Sequence, residues 1–152
     1  MKLFTYGSLM RGHYNHYILK HEKFLRESTI QGNYVLFTMP GSEFPRLVDI
    51  SLSTVFHPLL NPNIIHGEVY EVSDETMKRI DRMEFTCGYE RITVKDSNDE
   101  VNVYFLKERE NCIQPVETIV IIQSGYWTEY IKRFKPELYN EAELEIETVS
   151  LS

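Results

Sequence analysis

The segment Ile64–Glu84, with the sequence IIHGEVYEVSDETMKRIDRME, contains a predicted strand followed directly by a predicted helix. In the predicted strand Ile64–Val72, the side chains of Val69 and Tyr70 point to opposite faces, as expected for a half-buried strand. The helix, Ser73–Glu84, begins at a serine, which is a good N-cap, and two carboxylates follow in its first turn, where the helix dipole favours negative charge. The segment therefore predicts one strand and one amphipathic helix.

Short apolar runs, each bounded by turn residues, recur on both sides of this segment. They predict six further strands, which are Lys2–Tyr6, Asn33–Met39, Pro45–Ile50, Tyr89–Lys95, Val101–Leu106 and Glu117–Gln123. The turns Pro40-Gly41-Ser42 and Ser97-Asn98-Asp99 are expected to join two pairs of neighbouring strands. A short helix is predicted at His13–His21 and a loosely patterned one in the tail. This is the pattern of an α+β fold: a small, mixed, mostly antiparallel sheet of six to seven strands, barrel-like, flanked by two or three helices.

The composition is that of a globular protein. The chain has 152 residues, of which 16 are Lys or Arg and 23 are Asp or Glu, so its formal net charge is −7. We expect a single domain over residues 1–152, with 136–152 as an acidic C-terminal tail. The acidic balance makes nucleic acid a poor candidate partner. Ten Tyr, eight Phe and one Trp favour β structure around a lined cavity.

The sequence also bears on location and redox state. The first residues lack the pattern of a signal peptide, and no window approaches eighteen apolar residues, so we expect a cytoplasmic protein without a membrane span. The two cysteines, Cys87 and Cys112, are too few for a disulfide framework.

The predicted helix directs one carboxylate inward. At about 100° per residue, Met77 and Ile80 define its buried stripe, and Glu84 falls between them one turn later. A buried, unpaired carboxyl has a raised pKa, which suits a general base that must later return its proton. The alternative is that Glu84 lies at a fraying helix end and pairs with Arg91.

The loop Tyr6-Gly7-Ser8-Leu9 follows the first strand directly. A strand that ends in glycine can expose successive backbone N–H groups, which bind a carboxylate or an oxyanion. The alternative is a plain β-turn. Ser8 does not fit a nucleophile elbow, because Met10 stands where the second glycine of GxSxG would fall.

Other reactive residue types are read as structural. His13, His16 and His21 have no acidic or thiol partner nearby, so we expect solvated surface histidines rather than a metal site. Cys87 with His66 could form a thiolate pair, but a buried structural cysteine is favoured. The aromatic run Tyr126–Tyr130 suits either a pocket wall or packing against the sheet.

Several stretches, taken in order, carry a resemblance over about the first 130 residues. They are YGSLMRGHYN at Tyr6–Asn15, FPRLV at Phe44–Val48, HGEVYEV at His66–Val72, IDRME at Ile80–Glu84, GYERITV at Gly88–Val94 and SGYW at Ser124–Trp127. This ordered set resembles the gamma-glutamylcyclotransferase-like family, in particular its small gamma-glutamylamine cyclotransferase and related bacterial and archaeal members.

The resemblance implies a six-stranded barrel-like fold and an enzyme without metal or organic cofactor, which converts a gamma-glutamyl amide into 5-oxoproline and a free amine. Glu84 would be the catalytic carboxylate, and Tyr6, Gly7, Ser8 and Leu9 would bind the glutamyl group. The partner would be a small-molecule gamma-glutamyl substrate, while the oligomeric state stays open. A non-catalytic small-molecule binding module on the same fold is the alternative function.

Two positions depart from the family pattern. Arg46 stands where the resemblance leads us to expect a small residue, and it would reshape the pocket or add a cation for a substrate carboxylate. Tyr126 replaces an aspartate, so any role of that aspartate is absent.

Overall fold

The computed structural model describes residues 1–52, 63–107 and 119–141, and within them the chain forms eight strands and two α-helices. The strands are β1 (Lys2–Thr5), β2 (Lys23–Gly32), β3 (Tyr34–Thr38), β4 (Arg46–Asp49), β5 (Asn63–Glu71), β6 (Tyr89–Lys95), β7 (Glu100–Leu106) and β8 (Val120–Ile121). The helices are α1 (Asp74–Thr86) and α2 (Trp127–Phe134), and three short 3-10 helices cover His16–Leu19, Ile50–Leu52 and Pro136–Leu138.

The described strands form two sheets. One has the order β2-β5-β1-β7-β6, in which all neighbours are antiparallel except β1 and β7. The other has the order β4-β3-β8 and is antiparallel throughout. The expected α+β class and mostly antiparallel pairing are confirmed, but the sheet edges stay open, so these strands do not close into a barrel.

The central strand β1 separates two apolar clusters. Leu3 belongs to a cluster that includes Met77 and Ile80 of α1. Phe4, which points the other way, belongs to a cluster that includes Trp127 and other residues of α2. Because one helix covers each cluster, β1 is buried on both faces. The same holds for most of β5, where the sequence pattern predicted burial of one face only.

Helix α1 has clear signals at both ends. The Ser73 side chain accepts a hydrogen bond from the Thr76 backbone N–H at 3.3 Å, as predicted for the N-cap. The helix ends at Thr86, two residues later than predicted, and Gly88 follows with a φ of 90°, a conformation that favours glycine. Glu84 therefore lies inside the last turn and not beyond it.

Some elements differ from the sequence prediction. Strand β2 and helix α2 were not predicted, and the short helix predicted at His13–His21 is a 3-10 helix that covers only His16–Leu19. The last predicted strand is reduced to the two residues of β8. Residues 117–118 of that strand, Cys112 and most of the acidic tail lie outside the described residues. Neither described helix has the length and apolarity that a membrane span requires.

Candidate functional site

A cavity of about 180 Å³ opens between the loop after β1 and the last turn of α1. Its walls come from four parts of the fold: strand β1 with the following loop, the residues before β4, the end of α1, and strands β6 and β7. The lining residues that matter below are Gly7, Ser8, Leu9, Pro45, Glu84 and Tyr89. The cavity thus brings together the loop and the carboxylate that the sequence singled out separately.

The loop Gly7–Leu9 lines this cavity. Within the described residues, the backbone N–H groups of its three residues donate no hydrogen bond. Asn15, which also lines the cavity, fixes the loop, because its backbone N–H donates to the Ser8 carbonyl oxygen at 3.0 Å and its side-chain Nδ2 donates to Ser8 Oγ at 3.0 Å. These donors are available to a bound carboxylate or oxyanion.

Close packing explains the glycine in this loop. A Cβ atom at Gly7 would lie 2.9 Å from both Cδ and Cγ of Pro45, which is too close for real side-chain contacts. Glycine therefore allows the backbone of the loop to approach the segment before β4. The sequence could not distinguish a loop that exposes backbone donors from a plain β-turn. In the structure, a glycine is needed at position 7 because the loop lies so close to Pro45.

Glu84 is the acidic group in this cavity. Burial raises the pKa of its carboxyl from 4.5 to about 7. Within the described part of the chain its side chain takes part in no hydrogen bond or salt bridge, and Arg91 pairs instead with Asp81, whose Oδ1 lies 3.4 Å from Nε. The alternative in which Glu84 bends outward to Arg91 is therefore wrong.

Tyrosines form a fixed wall around this carboxylate. The Tyr6 hydroxyl donates to the Tyr104 backbone oxygen at 2.6 Å, and the Tyr89 hydroxyl donates to the Pro45 oxygen at 3.3 Å. Burial raises the pKa of both phenols well above 10, and the charge of Glu84 adds to the shift in each. These two hydroxyls stay protonated at neutral pH and donate to backbone acceptors, so of these three side chains Glu84 is the one that can exchange a proton.

Two of the three histidines do not lie where the sequence predicted. His13 and His16 are buried, with 3% and 5% of their surface exposed, and not solvated, whereas His21 is exposed as predicted. The ring of His13 hydrogen-bonds Thr128 Oγ1 at 2.7 Å, and His16 Nδ1 donates to the Leu9 carbonyl oxygen at 2.9 Å. Burial lowers the pKa of His13 to about 4, so this ring is neutral. The His16 ring thus holds the end of the loop Gly7–Leu9, and the His13 ring is fixed to α2 through Thr128.

The cysteine prediction is also wrong. Cys87 is an exposed free thiol on the cavity wall, not a buried structural residue, because it follows the last turn of α1 at the surface. His66 lies elsewhere, with its ring centroid 5.3 Å from that of Tyr126 and the two rings tilted by 32°, so the structure does not bring Cys87 and His66 together. Of the residues the structure describes, no three His, Cys, Asp or Glu side chains form a metal-binding group.

A buried ion pair that the sequence analysis missed borders the same loop. Arg11 Nε donates to Glu68 Oε2 at 2.9 Å and its backbone N–H donates to Oε1 at 2.9 Å. Both side chains are largely buried, beside a second cavity of about 130 Å³ that Tyr126 also lines. The two residues are 57 positions apart in the sequence, and the fold brings them together. Trp127, from the same aromatic run as Tyr126, packs in the core.

Comparisons with known proteins show which family this chain resembles over most of its length. The profile of the family described as gamma-glutamyl cyclotransferase, AIG2-like, matches residues 3–129. A protein of Methanocaldococcus jannaschii, provisionally named a gamma-glutamylcyclotransferase, is 30% identical over 135 residues, which cover 84% of this chain and 96% of the relative.

Two further proteins are informative. The gamma-L-glutamyl-butirosin B gamma-glutamyl cyclotransferase of Niallia circulans is 39% identical over 87 residues, which cover 57% of this chain and 47% of that enzyme. The crystal structure of an uncharacterized Pyrococcus horikoshii protein superposes with a TM-score of 0.65 at 26% identity, covering 88% of this chain and 94% of that one.

Proposed function

The chain belongs to the gamma-glutamyl cyclotransferase, AIG2-like family, and from that premise we propose that it releases 5-oxoproline and a free amine from a gamma-glutamyl amide. The observation that carries the proposal is the position of Glu84, an unpaired carboxylate in the same cavity as the donor loop Gly7–Leu9. We assign Glu84 as the general base and acid, and Tyr6, Gly7, Ser8 and Leu9 as the residues that bind the glutamyl group.

The first step is a proton transfer. The α-amino group of the substrate cannot attack while it is an ammonium ion, and Glu84 accepts its proton. A pKa of about 7 suits this step, because the carboxylate is partly ionised at neutral pH and is a stronger base than an ordinary glutamate. Burial in the cavity supplies that pKa, since no cation pairs with the carboxylate among the described residues.

The second step closes the ring. The freed amine attacks the γ-carbonyl carbon of the same molecule, forming the new C–N bond of a five-membered ring, and the carbonyl π electrons move to oxygen. Because nucleophile and electrophile belong to one molecule, the entropy cost of bringing them together is already met. The oxyanion electrons then re-form the carbonyl as the amide C–N bond breaks, the proton held by Glu84 goes to the departing amine, and the Glu84 carboxylate takes the second proton from the ring nitrogen.

The donor loop contributes to the same reaction. The N–H groups of Ser8 and Leu9 can bind either the substrate α-carboxylate or the developing oxyanion, and each oxyanion donor is worth about 10² to 10³ in rate. Tyr6 closes the wall beside them, with its hydroxyl held by the Tyr104 backbone. Asn15, through its two bonds to Ser8, keeps the loop in this conformation.

The test is 5-oxoproline release from a panel of gamma-glutamyl amides by the wild type and by Glu84→Gln. We expect the substitution to lower kcat by about 10² to 10⁴ while substrate binding is retained, because general acid–base catalysis is lost. Glu75→Gln, the same chemical change on an exposed turn of α1, is the control and should behave as wild type. Near wild-type turnover by Glu84→Gln would refute the assignment of the base.

The pH profile gives a second readout. Wild-type kcat/KM should fall tenfold per pH unit below a pKa of about 7, where Glu84 becomes protonated. Ligand-induced thermal stabilisation without any turnover across the panel would favour the non-catalytic binding module instead.

A further inference from the structure

The second cavity, of about 130 Å³, plays no part in the proposed reaction. It begins along the chain where the first one ends, because Leu9 lines the first cavity and Met10 and Arg11 line the second. Most of its other walls are polar side chains, which come from β2, β5, α2 and the segments that flank α2. A cavity of this size and polarity accommodates a small polar molecule in place of water.

Two carboxylates lie opposite each other in the sheet beside this cavity. Glu27 of β2 and Glu68 of β5 are direct partners in the antiparallel register, an arrangement in which like charges destabilise a sheet. Arg11 lies against both, with Nε 2.9 Å from Glu68 Oε2 and Nη2 3.5 Å from Glu27 Oε1. One guanidinium cannot neutralise two carboxylates, so these three groups leave one uncompensated negative charge at the cavity.

This negative charge can be reached from the cavity mouth. The Glu27 side chain is 77% exposed, whereas those of Glu68 and Arg11 are buried against each other. Burial raises the pKa of the Tyr126 hydroxyl, and the charges of Glu27 and Glu68 raise this pKa further, each by more than Arg11 lowers it. The electrostatic potential inside the cavity is therefore negative, which favours a cation over an anion.

Tyrosine rings form the wall opposite the carboxylates. Tyr126 precedes α2, and Tyr139 follows it, outside the residues 3–129 that the family profile matches. Tyr139 is held against the chain after β1, because the Asn140 backbone N–H donates to the Gly12 carbonyl oxygen at 2.8 Å. A Cβ atom at Gly12 would overlap the Tyr139 ring, so a glycine is needed there. The segment beyond the matched residues thus completes this cavity.

Lys132 shows that this wall accepts an ammonium group. Its Nζ atom lies 4.7 Å from the centroid of the Tyr139 ring, at the distance of a cation–π contact. Lys132 does not line the cavity, and its charge is paired with Glu141, whose Oε1 lies 3.6 Å away. It therefore leaves the negative charge inside the cavity uncompensated.

We propose that the second cavity binds a small primary ammonium ion, at a site separate from the substrate site at Glu84. The ammonium group pairs with Glu27 at the mouth and lies against the ring of Tyr126, and the alkyl chain replaces water inside the cavity. An ammonium group is compact and has three donors, which suits acceptors that approach from several directions. This inference does not depend on the proposed reaction, because binding is measured without turnover.

The experiment is an NMR titration of the full chain with propylammonium, 1-propanol and propionate at constant ionic strength. We expect propylammonium to bind with a Kd of about 1 mM, 1-propanol to bind about tenfold more weakly or worse, and propionate not to bind. The largest chemical-shift changes should lie at Tyr126 and Thr128, which line the cavity. Glu27→Gln, at an exposed position, should raise the Kd of propylammonium about threefold, and Glu27→Gln/Tyr126→Leu about tenfold or more.

Two control variants separate this site from the rest of the molecule. Glu75→Gln removes the same charge from an exposed turn of α1, and Glu84→Gln removes the carboxylate of the first cavity; both should bind propylammonium as the wild type does. Loss of binding in Glu84→Gln would place the amine in the substrate site and overturn the proposal. Equal binding of 1-propanol, unchanged binding in Glu27→Gln/Tyr126→Leu, or no binding at all would also overturn it, the last leaving a cavity that holds water only.

Discussion

Glu84→Gln should stabilise the folded protein at alkaline pH while it abolishes catalysis. The structure buries a carboxyl whose pKa is raised from 4.5 to about 7. A tenfold change in proton affinity is about 1.4 kcal/mol, so ionising Glu84 in the folded state should cost about 3 kcal/mol relative to the unfolded chain. Glutamine has nearly the same shape and carries no charge, and it avoids this cost at every pH.

The sign of the pH dependence follows from proton binding. Between pH 4.5 and about 7 the folded protein holds the Glu84 proton more tightly than the unfolded chain does. The free energy of unfolding contributed by this group is therefore highest below pH 4.5, falls as the pH rises through that window, and is lowest above pH 7. Wild type and Glu84→Gln should be almost equally stable near pH 4.5 and should differ by about 3 kcal/mol at pH 8.5.

Urea denaturation from pH 4.5 to 8.5 measures this difference directly, with Glu75→Gln as a control that should track the wild type. For a protein of this size, about 3 kcal/mol corresponds to a rise in Tm of roughly 6 to 12 °C at alkaline pH. A stability difference that is the same at every pH would refute the reasoning, since it would show that the carboxyl is not desolvated by the fold.

Two further substitutions test the loop that lies against Glu84. In Gly7→Ala the new Cβ would lie 2.9 Å from Pro45 Cδ and Cγ, so the loop must shift. We expect kcat/KM for 5-oxoproline release to fall about 10- to 100-fold as a result. An unchanged kcat/KM would show that the position of the loop does not matter for catalysis. Arg11→Met leaves the Glu68 carboxylate buried without its cation, so the free energy of unfolding should fall by about 3 kcal/mol or more in urea titrations. Arg11→Met/Glu68→Gln should recover part of that loss, and a single variant as stable as wild type would contradict the role of the pair.

Local signals in the sequence were sufficient for α1 and for the hairpins. The N-cap serine, the acidic first turn and the apolar stripe of α1 lie within one segment, so its start and its buried face could be read directly. The turn at residues 40–42 and the connection at 97–99 were equally clear, and both join antiparallel strands as predicted. Each of these features depends on residues a few positions apart.

Elements that depend on distant partners could not be read in the same way. Strand β2, KFLRESTIQG, mixes charged and apolar residues without strong alternation, and it is held by a nine-residue register with β5, interrupted by one irregularity. Helix α2 has only eight residues, too short to be stable alone, and it exists because Trp127 and Ile131 pack into a core built from other segments. The burial of His13 likewise depends on Thr128, 115 positions away.

The two carboxylates near the end of α1 show where sequence reasoning stops. Asp81 and Glu84 are one turn apart, and helical phase places both near the buried stripe. Strands β6 and β7 supply partners to Asp81 and not to Glu84. The Tyr104 hydroxyl of β7 donates to Asp81 Oδ1 at 2.5 Å, and Arg91 of β6 forms a salt bridge with the same oxygen. With those two partners occupied, Glu84 is left desolvated and unpaired, which is the state that gives a carboxyl both a raised pKa and an available proton site. The periodicity of the helix could indicate a candidate base, but the assignment of the base required knowing which carboxylate the sheet had already satisfied.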